Sequence, residues 1–188
     1  RTILKHNTFP LAMPSANVSS GISPINAENV ADEFKSNIKM IIDGGKSKIG
    51  IESTVVDLTS KPKILRPGII SHNFINKVLS LKMKPVNKSI KIKSPGMFKR
   101  HYSPGIPMFL DHDTVVTKHA FITFGNKFHN KKNYFNLSKK ANLNEAASNL
   151  YEILRKIKKL KYKRIYVSKI PNKGVGIAIN DRLKRAAY

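Results

Sequence analysis

Residues 12–24 read Ala12-Met13-Pro14-Ser15-Ala16-Asn17-Val18-Ser19-Ser20-Gly21-Ile22-Ser23-Pro24. The run is proline-led, dense in Ser, Asn and Gly, and follows the apolar Pro10-Leu11, a pattern that predicts a strand opening into a tight loop. Such loops gather backbone N–H groups, hydroxyls and an amide in a volume that suits phosphate or carboxylate oxygens. A plain turn is the alternative reading, because the same residue types dominate turns for conformational reasons alone. Two further segments of similar character give the loop its weight.

The first is Gly50-Ile51-Glu52-Ser53-Thr54-Val55-Val56-Asp57-Leu58, continuing to Ile64-Leu65-Arg66-Pro67-Gly68. The second is Ser94-Pro95-Gly96-Met97-Phe98-Lys99-Arg100-His101-Tyr102-Ser103-Pro104. Around them, Asn26–Lys35 predicts a helix capped by Asn26, with Glu28 and Asp32 placed early, where the helix dipole favours acids. Met40–Asp43 predicts a short buried strand closed by Gly44-Gly45. Ser53–Leu58 and Lys63–Leu65 are β-rich and flank Thr59-Ser60-Lys61-Pro62, which predicts a hairpin. Ser71 caps a helix with apolar positions Phe74, Ile75, Val78 and Leu79, and a first unit ends near Leu81.

From Lys82 the chain turns polar, basic and proline-punctuated, a linker by composition that still holds the Arg-His-Tyr cluster. A second unit begins near Gly105, with strands expected at Pro107–Leu110, Ala120–Phe124, Tyr134–Leu137 and Arg164–Ser168. A long amphipathic helix spans about Asn144–Leu160, with Ala147, Leu150, Ile153, Leu154 and Ile157 on one stripe. A closing helix follows at about Ile177–Ala187. Strands alternating with helices predict a small α/β layer structure, Rossmann-like in outline. Gly174-Val175-Gly176 is too short to count as a dinucleotide fingerprint.

The three polar segments together resemble the "PSAN…SG…SP", "GxESTVVD…LRPG" and "PGM…RHYAP" segments of the two-domain threonylcarbamoyl-AMP synthase family, whose catalytic part is the YrdC-like domain. The tail Gly174–Ala187 resembles the close of that family's C-terminal domain, so the likeness runs from about Phe9 onward. Ser103-Pro104 stands where the family has Ala-Pro. The resemblance implies an α/β fold in three parts. Residues 1–81 are the C-terminal part of a YrdC-like twisted open-sheet domain, 82–104 a linker folding over the active site, and 105–188 a Rossmann-like α/β domain. The chain opens on Arg1 rather than Met, and the resemblance implies upstream residues carrying a Lys-x-Arg phosphate-binding motif that has no matching context here. The piece shown is therefore expected to be inactive alone.

The implied reaction condenses L-threonine, bicarbonate and ATP into L-threonylcarbamoyl-AMP, for threonylcarbamoyladenosine modification of tRNA by a downstream transferase complex. Ser15 and Asn17 then match nucleotide ligands, with turn closure as their alternative. Ile25 stands where relatives carry a hydroxyl residue, so any part in ATP binding is through its backbone. Ser53 matches the serine beside the threonine carboxylate. Glu52 is doubtful as a ligand, since an acid near two anions repels them unless a cation intervenes. Arg66, at a strand end before Pro67-Gly68, offers a guanidinium fork to phosphate oxygens. His101 and Tyr102 resemble the segment that folds over the nucleotide. No residue is assigned as a catalytic acid or base. Magnesium is expected with ATP, while Asp43 and Asp57 read as turn and strand residues rather than ligands.

The bulk properties frame the alternatives. The 188 residues carry 35 Lys and Arg against 11 Asp and Glu, a net charge of +24. That charge favours nucleic acid through counterion release and keeps a non-catalytic basic RNA-binding module, or weak tRNA affinity, in view. Against it, lysine is scattered over every element, and no stacked-aromatic RNA signature appears. No window approaches the roughly 20 apolar residues of a membrane span. The chain has no cysteine, which fits a reducing, cytoplasmic setting, and its six histidines lack zinc-type spacing, so no metal site is expected.

Overall fold

The computed structural model describes residues 2–80, 98–115, 117–129 and 131–188. The chain opens with a short helix α1 (Thr2–His6) and an irregular loop leading to α2 (Ala27–Phe34). Asn26 caps α2, its side chain accepting from the Asn29 N–H at 2.9 Å. A 3-10 turn (Lys35–Asn37) follows, then a hairpin of β1 (Val55–Asp57) and β2 (Lys63–Arg66), antiparallel with Val55 opposite Arg66. Ser71 caps α3 (His72–Leu79) by accepting from the Phe74 N–H. The hairpin and both caps match the sequence expectation.

The second half builds β3 (Met108–Phe109), β4 (Ala120–Thr123), β5 (Tyr134–Asn136), α4 (Leu143–Lys159), β6 (Ile165–Val167) and α5 (Gly176–Ala186). The four strands form one parallel sheet in the order β3-β6-β4-β5, giving the expected α/β architecture. Ala120, Phe121 and Ile122 are all fully buried, as a parallel strand covered on both faces requires. Asn142 caps α4, and Lys156, Lys158 and Lys159 sit in its last turn, where the dipole favours cations. Its buried stripe is Ala146, Ala147, Leu150, Tyr151, Leu154 and Ile157, with Ile153 at the half-buried edge.

The two halves share one hydrophobic cluster. Ile22, Ile25, Ile51 and Tyr102 belong to the same buried set as Leu150, Tyr151 and Ile179. Polar contacts surround that seam: Glu33 with Arg155 at 2.9 Å, Asp32 with Lys159 at 2.7 Å, and Lys46 with Glu152 at 2.5 Å. Gly50, at φ +80, lies directly on α4, where a Cβ would come within 2.6 Å of the Ser148 backbone.

Two expectations need correction. Among the described residues no strand precedes residue 12, and Leu11 is exposed. Met40–Asp43 is irregular rather than a buried strand, with Met40 77% and Ile42 63% exposed. An apolar run becomes a strand only where a neighbouring ladder accepts its hydrogen bonds, and none does so here among the described residues. On α3 the apolar Phe74, Val78 and Leu79 are exposed. The linker expected at 82–104 lies outside the described residues from 82 to 97, which includes Ser94, Pro95, Gly96 and Met97.

The Gly50 contact yields a stability test. Gly50→Ala combines a left-handed backbone with a clash against α4 and should cost about 2 kcal/mol. Gly44→Ala, with nothing within 4 Å of the added Cβ, should stay within about 0.5 kcal/mol. Chemical denaturation midpoints of the two variants check the contrast.

Candidate active site

The hairpin places its two candidate residues side by side. Arg66 Nε donates to the Ser53 carbonyl at 3.0 Å, and Nη2 reaches Ser53 Oγ at 3.3 Å. The Arg66-Pro67-Gly68 turn can lie this close because Gly68 has no side chain. A Cβ there would stand 2.3 Å from the Thr54 nitrogen. Thr54 Oγ1 donates to the Ile70 carbonyl at 2.7 Å and so fixes the turn from its far side. Arg66 is 9% exposed, an arginine held at a strand end with its fork preset by backbone.

One residue before Ser53, Glu52 is the hub of a buried polar cluster. It accepts from Ser23 Oγ at 2.6 Å, Tyr151 Oη at 2.8 Å and Arg182 Nε at 3.0 Å. Burial pushes the Glu52 carboxyl up. Arg182, the Ser23 hydroxyl, its own backbone N–H and Tyr151 outweigh that effect, and the group ends below its ordinary value. Burial and the Glu52 charge push the Tyr151 phenol well up, so it remains a neutral donor. Glu52 is therefore consumed by the fold: its charge is neutralised internally, which removes the repulsion an acid would exert on bound anions.

Arg182 is fully buried on the otherwise apolar face of α5. Besides Glu52 it reaches the Pro67 carbonyl at 2.6 Å and Asp181 at 3.0 Å. It thus clamps the two segments that carry Ser53 and Arg66. Its guanidinium lies 5.2 Å from the Tyr102 ring, a cation–π contact, and Tyr102 stacks on Tyr151 at 5.7 Å.

The Arg-His-Tyr segment is drawn onto this cluster. The His101 N–H donates to the Arg185 carbonyl, and Gly21 and Ser103 form a parallel bridge, with the Ser103 N–H on the Ser20 carbonyl at 2.9 Å. Tyr102 is 1% exposed and sits at φ +62, a backbone state unusual for an aromatic residue. Burial lowers the His101 pKa, with Arg185, Arg182 and Arg66 adding to it against Glu52, so the imidazole is neutral. Burial raises the Tyr102 phenol. Both His101 Nδ1 and Tyr102 Oη are buried without a hydrogen-bond partner, as is Asn17 Oδ1. Buried polar atoms left unpaired are unusual; among the described residues there are six, three on these sequence-selected residues and the others on His119, Arg155 and Ser168.

The 15–25 loop joins the cluster through Ser23 and Gly21, while the hydrogen bonds of Ser15 and Asn17 stay within residues 15–18. Ser15 is exposed, its carbonyl accepting from the Asn17 N–H at 3.0 Å. Ile25 is buried in the core; its N–H donates to Asn29 Oδ1 and its carbonyl accepts from the Ser47 N–H. Asp43 and Asp57 cap turns by accepting from the Gly45 and Thr59 N–H groups. Among the described residues no cluster of three His, Asp or Glu could hold a metal ion. Arg182, Tyr151 and Ser23 escaped sequence reasoning. The one available signal was Arg182 itself, an arginine at a buried position of the closing helix.

The family described as "Threonylcarbamoyl-AMP synthase, C-terminal domain" matches residues 70–188, and the one described as "Telomere recombination" matches residues 1–68. The threonylcarbamoyl-AMP synthase of Pyrococcus abyssi is 35% identical over 95% of this chain and 58% of its own length. That of Bacillus subtilis is 30% identical over 98% of this chain and 59% of its own. The chain thus spans under two thirds of the curated relatives it matches. The crystal structure of P. abyssi Sua5 complexed with L-threonine superposes with a TM-score of 0.79 at 32% identity, covering 93% of this chain and 56% of that one.

Breaking the clamp on one side should be costly. Arg182→Met leaves Glu52 buried and unpaired and should lose about 3 kcal/mol, whereas Glu52→Gln with Arg182→Met together should recover much of it. Denaturant titrations of the single and double variants check this. Because the folded carboxyl of Glu52 titrates below its unfolded value, its stabilisation is full above the ordinary glutamate range of about pH 4–5 and is lost on acidification below it. A stability profile across that range should therefore flatten in the double variant.

Proposed function

This chain belongs to the threonylcarbamoyl-AMP synthase family, and on that premise we propose that it supplies part of the active site of an enzyme that condenses L-threonine, bicarbonate and ATP into L-threonylcarbamoyl-AMP. Pyrophosphate and water leave. The observation that carries the reading is the Ser53–Arg66 pair, held against the clamped turn at 66–68 with His101 and Tyr102 packed beside it. In this reading residues 1–81 belong to the catalytic domain, 82–104 to the linker that covers the site, and 105–188 to the C-terminal domain.

Arg66 holds phosphate oxygens as a fork, and Ser53 donates to the threonine carboxylate. Asn17, with its vacant Oδ1, and Ser15 line the nucleotide side. The neutral His101 and the Tyr102 hydroxyl complete the enclosure and exclude water from the carbamate. Such chemistry needs positioning and preset donors more than a covalent catalyst. Magnesium enters as the companion of the ATP phosphates. The product passes to a tRNA-modifying transferase complex in the cytoplasm. In the described residues no helix is long and apolar enough to cross a membrane. The +24 charge supports weak tRNA affinity as an accompaniment.

The test is pyrophosphate release. The full-length enzyme should release it in a threonine-dependent way, with little turnover from the 188-residue chain alone. Arg66→Ala in the full-length enzyme should lower kcat/KM about 100-fold, the scale for removing one preset donor to developing charge. Threonine-independent release would argue against the synthase reading, whereas duplex RNA affinity that survives Arg66→Ala and Ser53→Ala with no turnover would favour the non-catalytic RNA-binding module instead.

A further inference from the structure

The parallel sheet has a cavity of its own, away from the Ser53–Arg66 pair. It occupies about 200 Å³ where the chain leaves β3 and β6, roofed by α5. In open parallel sheets the crevice beyond the carboxyl ends of the strands is where ligands settle, because loops diverge there. Asp111, Ser168, Lys169, Asn180, Leu183 and Lys184 line it. Ser168 is 4% exposed and its Oγ is buried without a hydrogen-bond partner, while its backbone N–H is spent on the Ile122 carbonyl. Asp111 sits at φ +62, a left-handed backbone state. Asn180 is held by donating to the Ile170 carbonyl at 3.1 Å.

We propose that this cavity binds a phosphate monoester carried on a hydroxyl-bearing body, such as a nucleoside monophosphate or a sugar phosphate. The charges choose the class. A phosphate monoester carries about −1.5 to −2 at neutral pH and suits two ammonium groups better than a single carboxylate does. Lys169 and Lys184 supply those groups, and the Ser168 hydroxyl supplies a neutral donor. Lys169 also lies in the field of Asp113, whose carboxylate is paired to Lys127 at 2.8 Å. The Asp111 carboxylate repels a phosphate but accepts from hydroxyls, so it faces the body of the ligand rather than its anion. Leu183 gives that body an apolar wall. The proposal does not rest on the enzymatic reading above.

The test titrates the full chain with AMP, ribose 5-phosphate and inorganic phosphate, following amide NMR shifts. Saturable binding of AMP or ribose 5-phosphate that perturbs residues 168–172 is expected. Lys169→Glu with Lys184→Glu, both exposed and so tolerant of change, should weaken it about tenfold or more. Ser168→Ala should weaken it a few-fold, and Arg66→Ala should leave it unchanged. AMP alone, or ribose 5-phosphate alone, would say which body the site takes, and either supports the proposal. Binding of inorganic phosphate only, binding abolished by Arg66→Ala but not by the lysine changes, or no saturation at about 10 mM probe would overturn it.

Discussion

A single buried guanidinium holds the two halves of this chain in register. Arg182, fully buried on α5, pairs with Glu52, the Pro67 carbonyl and Asp181, and lies against the Tyr102 ring. Charges are costly to desolvate, so such an arrangement persists only when every lone pair and N–H is met. Ser23 and Tyr151 complete the coordination of Glu52 from the loop at one side and α4 at the other. The pair adds less to net stability than its geometry suggests. What it supplies is specificity of docking, because any other alignment strands a charge.

The consequence for the site follows directly. Ser53 and Arg66 sit immediately beside Glu52 and Pro67, the two points that Arg182 grips. The C-terminal half therefore does more than cover the hairpin: it sets the position of Ser53 and Arg66. Gly68 on the hairpin and Gly50 on α4 permit the close approach. Tyr102, in its left-handed backbone state, brings the segment before β3 into the same cluster. Local strain there is held by the packing around it.

Much was legible from the chain alone. The helix caps at Asn26 and Ser71, the hairpin, the four strands of the parallel sheet and the α4 stripe follow from local propensities and apolar periods that act over a few residues. Ser53 and Arg66 were picked out by their resemblance to family motifs, and the structure sets them side by side. Local signals misled at Met40–Asp43, where apolar residues lie exposed. Periodicity reports which residues want cover, but it does not say which surface provides it.

What the sequence by itself determined was therefore the set of elements and the chemistry available to them: caps, turns, a parallel α/β unit and a few polar motifs. Only the tertiary structure decided that Glu52 is a buried anchor, that Ile25 is core with both backbone groups occupied, and that Arg182 and Tyr151 support the site from about 100 residues or more away. The physical reason is range. Capping and periodicity are settled within a few residues, whereas the state of a charge depends on whichever groups the fold brings against it, and these lie far along the chain.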